Sequence, residues 1–180
     1  KRPNGGAWVN TGSTTTEPPT SLSLVKAEGL SGFSDFALGT QYCKVVTNGN
    51  DDGIGSLRFA IAQCSNPEDY IYIAEFIDSI FLVSDTIILD KNLSIFHSGN
   101  EKVVIQTTSS SPVFKTNPGV LITLNNIEIH SGGVASSKAL LNNGNTILWN
   151  VDIINSIPGE IPVMNTGILE ISETVQIKNQ

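Results

Sequence analysis

The chain has 180 residues, a formal net charge of −7 and 39% hydrophobic residues. That apolar share supplies a core and argues against disorder throughout. Only ten Lys and Arg with no basic cluster argue against a nucleic-acid partner or an anionic membrane surface, and no apolar run reaches the roughly 20 residues of a bilayer span.

Ser, Thr, Asn and Gly abound, and Ile and Val dominate the apolar set. These are turn and strand residues, and the mix suggests a secreted all-β protein. No signal peptide is visible at Lys1. Residues 1–21 are polar, with Pro at 3, 18 and 19. Leu22 and Leu24 then alternate with polar neighbours as in a half-buried strand, and Phe33, Phe36 and Leu38 suggest a strand or edge. Two or three short strands cannot close a sandwich, so this opening packs on the later strands or belongs to a larger domain.

From Tyr42 the pattern becomes short Val/Ile strands separated by turns, with little room for covering helices. The exception is VVTNGNDDGIGSLRFAIAQC, Val45–Cys64. Here Ser56 suits an N-cap, and Leu57, Ala60, Ile61 and Cys64 fall at i, i+3, i+4 and i+7, predicting one helix over about 56–64. Asn48, Asn50 and Asp52 imitate the first half of an EF-hand loop, but the residue where a bidentate Glu is required is Phe59, so no calcium site is expected.

The second half of the chain carries an internal repeat. Asn126-Ile127-Glu128-Ile129, Asn150-Val151-Asp152-Ile153 and Thr174-Val175-Gln176-Ile177 recur at one constant step, from position 126 to 150 to 174. Asn92-Leu93-Ser94-Ile95 reads as an earlier copy, set off by a longer step because its turn carries an insertion. Gly119, Gly144 and Gly167 form a second marker at similar steps. Twenty-four extended residues trace roughly 80 Å, enough for three short strands and three bends. Stacking such coils buries every inward Ile, Leu and Val, so the expected fold is a parallel β-helix, and the lone helix is the cap over its first coil.

The segment Val45–Asn66 resembles the VTN-x-ND-x-G-x-GSLR-x-AI segment that opens a group of secreted right-handed parallel β-helix proteins with a CSLREA-type motif; the match runs through Asn48, Asp51, Gly53, Gly55, Ser56, Leu57, Arg58, Ala60 and Ile61. The resemblance covers residues 43–180. Just before it, GLSGFSDFALGT resembles the strand that closes a β-sandwich-like domain in large surface proteins of the Bacteroidota. The resemblance implies a remnant of that domain over residues 1–40 and a right-handed β-helix over 41–180. It also implies an extracellular or cell-surface location and export by the type IX route. Its partners would be other domains of one longer chain, extracellular glycans or surface proteins, and the secretion machinery. The motif marks architecture, so it implies no catalytic residue, cofactor or metal.

Candidate chemistry is sparse. If Ile127 and Ile129 point inward, Glu128 and Asp152 point outward on adjacent coils, roughly 5 Å apart at Cα, a separation that suits a retaining glycosidase or, with His130, a metal. The plainer reading is a pair of solvated outward carboxylates, and no basic partner stands at the matching positions. Asn126 and Asn150 fit a corner ladder of stacked amides. Trp149 and Phe114 could stack on sugars or simply pack, and His97 reads as an exposed strand-end residue. No GxSxG, HExxH or phosphate-loop pattern occurs, and Arg58 is the only Arg after residue 40, which weakens a polysaccharide-lyase reading. Cys43 and Cys64 flank the strand and the cap helix and would pair in an oxidising compartment, the alternative being two separately buried thiols. The sequence therefore supports a non-catalytic β-helix module, a stalk or adhesive, glycan-contacting surface; the alternative is a carbohydrate-active β-helix enzyme, a lyase or glycoside hydrolase.

Overall fold

The computed structural model describes residues 44–64, 69–133, 135, 137–172 and 174–179. The chain divides into two units, Lys1–Gln41 and Tyr42–Gln180. The strands expected near 22–27 and 33–38, and Cys43, lie outside the described residues, all of which belong to the second unit.

That unit is a parallel β-helix of about five turns. The chain enters the stack through β1 (Lys44–Val46) and the helix α1 (Leu57–Gln63), and the first full coil holds β2 (Asp69–Ile73), β3 (Ser79–Leu82) and β4 (Ile87–Leu89). The second holds β5 (Leu93–His97), β6 (Val103–Thr107) and β7 (Phe114–Thr116). The third holds β8 (Leu121–His130) and β9 (Leu140–Asn142), the fourth β10 (Asn145–Asn155) and β11 (Val163–Asn165), and the last β12 (Ile168–Ser172) and β13 (Gln176–Asn179). All pairings are parallel and join each strand to its counterpart one coil away. A first face runs β1-β2-β5-β8-β10-β12, a second β3-β6-β8-β10-β13, and a third β4-β7-β9-β11.

From β2 to β10 the period-two pattern turns one set of apolar residues inside, and the register stacks them. Ile80, Ile105, Ile129, Ile153 and Ile177 form one column, and Val103, Ile127 and Val151 the next. Each buried Ile removes enough apolar surface to contribute roughly 1.5–3 kcal/mol. The column loosens at the last coil: Ile153 is fully buried, whereas Ile177 is 46% exposed and Val175 half-buried, because no described coil covers them. The repeat register thus holds, but the inward packing expected of Val175 and Ile177 is incomplete.

The repeat extends backwards differently from the expectation. Leu93 and Ile95 pair with Ile122 and Leu124 on the first face, not with Ile127 and Ile129. The true predecessors of Ile127 and Ile129 are Val103 and Ile105, one regular repeat earlier. In the second coil the two faces are separate strands joined by the loop 98–102. In the third and fourth they fuse into the continuous β8 and β10, bent at Asn126 (φ 58°) and Asn150 (φ 50°). Asn tolerates this left-handed backbone better than most residues. At the turn into the first face, Gly144 is required by closeness: a Cβ there would lie 2.4 Å from the Asn117 carbonyl oxygen.

The cap is as expected. The Ser56 hydroxyl accepts from the Phe59 N–H at 3.1 Å, and Leu57, Ala60, Ile61 and Cys64 are buried. The polar run before it is a seat. The Asn48 amide donates to the Ile54 carbonyl at 2.9 Å, and the Thr47 N–H donates to the Gly55 carbonyl at 2.8 Å. Gly55 has φ 86°, and a Cβ there would meet the Thr47 hydroxyl. Asp51 then reaches the first coil. One carboxylate oxygen takes Arg58 Nη2 at 2.9 Å; the other accepts from the backbone N–H groups of Val83 (3.2 Å) and Ser84 (2.7 Å) and from the Ser84 hydroxyl. Arg58 also donates to the carbonyls of Asp85 and Thr86. The Gly49 carbonyl takes the Phe81 N–H at 3.2 Å. Together these contacts occupy N–H groups along the outer edge of β3 and just beyond it, which would otherwise be open to another chain.

Candidate functional site

The bend between the first and second faces carries a polar pocket that brings together Glu128, Asn150 and Asp152, which the sequence singles out, with residues that it does not. It has a volume of about 360 Å³ and is lined by Asn100, Glu101, Lys102, Glu128, Asn150 and Asp152. Parity in β8 and β10 points Glu128 and Asp152 outward, and the register makes them direct partners on adjacent coils, as expected.

The matching positions of their column are Val104 and Gln176, so no basic residue stands in it, as expected, but one reaches in from beside it. Lys102 Nζ lies 2.7 Å from Asp152 Oδ1. That oxygen accepts no aligned hydrogen bond, so the contact is an ion pair rather than a directional bond. Both side chains are largely buried, which makes the pairing obligatory: either charge alone would suffer its desolvation without return. Glu128 Oε1 contacts His130 Nε2 on its own strand. Each carboxylate is therefore occupied by a cationic or donor neighbour. Sequence reasoning misses Lys102 because it aligns the Asn92 segment with the repeat. Counted back one regular repeat from Asn126, Lys102 occupies the Asn position of the second coil.

Beneath the pocket the Asn ladder is real. Asn150 Nδ2 donates to Asn126 Oδ1 at 2.9 Å, and Asn126 Nδ2 lies within bonding range of the carbonyls of His97 (3.2 Å), Gly99 (2.7 Å) and Glu101 (3.3 Å). One amide thus holds the loop 98–102 that carries Lys102. A second ladder lies inside the third face. The Thr116 hydroxyl donates to Asn142 Oδ1, and Asn142 Nδ2 donates to Asn165 Oδ1 at 2.8 Å.

Two further expectations are corrected. Phe114 is completely buried beneath Leu140, its partner one coil on, and cannot be a sugar platform. His97 is only 7% exposed, inward on β5, with Nδ1 3.0 Å from the Glu101 carbonyl and no hydrogen-bond partner at Nε2. Trp149, by contrast, points out of the first face and is 40% exposed.

In the metal-mimicking run, Asp51 is committed to Arg58 and the 83–84 turn. Burial alone would raise its pKa, but the hydrogen bonds from Ser84 and the Arg58 guanidinium prevail and hold the carboxyl below its ordinary range. Among the described residues no group of three or more His, Cys, Asp or Glu is placed to hold a metal ion. Cys64 is buried at the end of α1; its proposed partner Cys43 lies outside the described residues.

The fold and this surface define a parallel β-helix with a polar pocket at its outer bend. No protein-family model, curated protein or solved structure matches the chain.

Proposed function

We propose that this chain is a non-catalytic β-helix module of a secreted or cell-surface protein, serving as a stalk with a glycan-contacting face. One observation carries this reading: the polar residues of the leading motif are consumed in building the cap. Asn48, Asp51, Ser56 and Arg58 each bond to backbone or to one another at the end of the stack. A motif so spent serves architecture. The occupied state of Glu128 and Asp152 points the same way.

The resemblance of that motif to the openings of secreted β-helix proteins supports export, and the GLSGFSDFALGT segment supports an origin among Bacteroidota surface proteins that use the type IX route. Residues 1–40 then belong to a neighbouring β-sandwich-like domain. Within this reading Cys43 pairs with Cys64 and fastens the cap. Among the described residues no helix is long and apolar enough to cross a membrane.

A carbohydrate-active enzyme is the second reading, favoured by the register pairing of Glu128 and Asp152 in one pocket. A glycan array together with a reducing-sugar assay on the full chain separates the two. Binding without product supports the module. Product formation that is lost in Glu128→Gln and Asp152→Asn overturns it in favour of the enzyme.

A further inference from the structure

We propose that the outer surface of the first face is a binding strip for an extended neutral polysaccharide running along the solenoid axis. This rests on the reading of the module as glycan-contacting and names the site and the class of glycan.

Strand parity and register decide which side chains share this surface. One outward column reads Val45, Tyr72, Phe96, Asn125, Trp149 and Ser172 from coil to coil. Beside it stand Tyr70, Ser94, Thr123, Ile147 and Glu170. The strip thus has an aromatic cluster at one end, a hydroxyl-and-amide rung in the middle, and Trp149 beyond it. In the cluster the Phe96 ring meets Tyr72 edge-to-face at 5.2 Å between centroids and Tyr70 at 6.3 Å, so the three rings brace one another. Tyr70 remains 55% exposed despite these contacts.

Three properties select the occupant. Phe96 and Trp149 are two rungs apart, roughly 10 Å. This is close to one disaccharide step of an extended β-1,4-linked pyranose chain, whose alternate rings present the same face. Aromatic platforms suit the apolar face of a sugar ring, and Thr123 and Asn125 between them offer partners for its hydroxyls. Second, Glu170 is the only ionisable acid or base in these two columns apart from the Tyr hydroxyls, so neither a polyanion nor a polycation finds charge complementarity. Third, the face is small. Even with the outward column of Leu121, Asn145 and Ile168 beside the first two, it covers about 15 Å by 20 Å, well below the ~800 Å² that each side of a stable protein interface covers. A linear chain matches that footprint. Trp149 is also the sequence neighbour of Asn150, so the polar pocket flanks the strip on one side.

The test is isothermal titration calorimetry of the full chain with cellohexaose, mannohexaose, cellobiose and hexagalacturonate. At least one neutral hexasaccharide is expected to bind, at least about tenfold tighter than cellobiose. Trp149→Ser and Phe96→Leu should each weaken it by about tenfold, the equivalent of one lost stacking contact of about 1.4 kcal/mol. Trp149→Phe keeps a platform and should stay within about threefold. Phe81→Leu removes an exposed aromatic from the second face and should change nothing. Melting curves establish that the variants are folded. Unchanged affinity in both folded Trp149→Ser and Phe96→Leu overturns the strip, as does binding of hexagalacturonate alone; either leaves the broader glycan-contact reading standing. Silence on every glycan of an array overturns both.

Discussion

The amide of Asn150 donates to the side-chain oxygen of Asn126 at 2.9 Å, and Asn126 directs its own amide to three carbonyls of the coil below. Asn126 combines a left-handed backbone, burial and a load of acceptors in one residue. Asn126→Ala adds backbone strain and strands polar groups, and should lower the unfolding free energy by about 3 kcal/mol. Asn126→Gly relieves the strain but not the stranded carbonyls, and should cost less. Urea titration of the two variants checks the order; a fully stable Asn126→Ala would mean that the ladder is ornamental.

The apolar columns predict a gradient along the stack. Ile153 and Ile177 are paired in register, yet one is sealed and the other half open. Ile153→Ala should cost about 3 kcal/mol and Ile177→Ala under about 1 kcal/mol. Val151→Asp, which places a charge against Ile127, should unfold at least the flanking coils. Hydrogen exchange across the coils would read both effects, and equal costs at 153 and 177 would contradict the gradient.

Asp51 makes the cap sensitive to acid. Its folded-state carboxyl is held below the ordinary value, so its contribution is complete above the unfolded pKa of about 3.9 and disappears as pH falls through the lower folded value. Wild-type stability should therefore drop more steeply below about pH 4 than that of Asp51→Asn. At neutral pH the substitution should cost about 2 kcal/mol through lost charged hydrogen bonds. Thermal melts between pH 2.5 and 7 test this; parallel pH profiles for the two proteins would remove Asp51 from the seat.

Under the secreted reading, Cys43 and Cys64 form a disulfide. The loop it closes is about 20 residues, for which the chain-entropy model gives roughly 3 kcal/mol. Material from an oxidising compartment should show no reactive thiol after denaturation without reductant. Two reactive thiols would refute the bond and weaken the assignment to the cell exterior.

Whatever repeats or recurs locally is legible in the sequence. The constant step through Ile127, Val151 and Val175 reveals the stack, and the spacing of Leu57, Ala60 and Ile61 reveals the cap. The Asn92 segment misleads, because every coil carries apolar-x-apolar doublets on more than one side. Leu93 and Ile95 look like Ile127 and Ile129, and only the bend tells them apart. In the second coil that bend is a loop rather than a single left-handed Asn, so its marker is missing. Lys102 is hidden with it, and its salt bridge crosses to a strand two coils away, beyond any nearest-coil rule. His97 is recoverable: it continues the inward parity of Leu93 and Ile95.

The seat of the cap also sets an order of assembly. Asp51 meets Ser84 across 33 residues, so the seat of the helix is complete only once the chain has passed through β2 and β3. That docking fixes the circuit at several points at once, whereas each later coil adds one round of pairing to an existing template. Closing this longer loop instead of a single repeat costs only on the order of a few tenths of a kcal/mol more. The cap end thus offers the later coils a template tied at several points, and it precedes them in the order of synthesis.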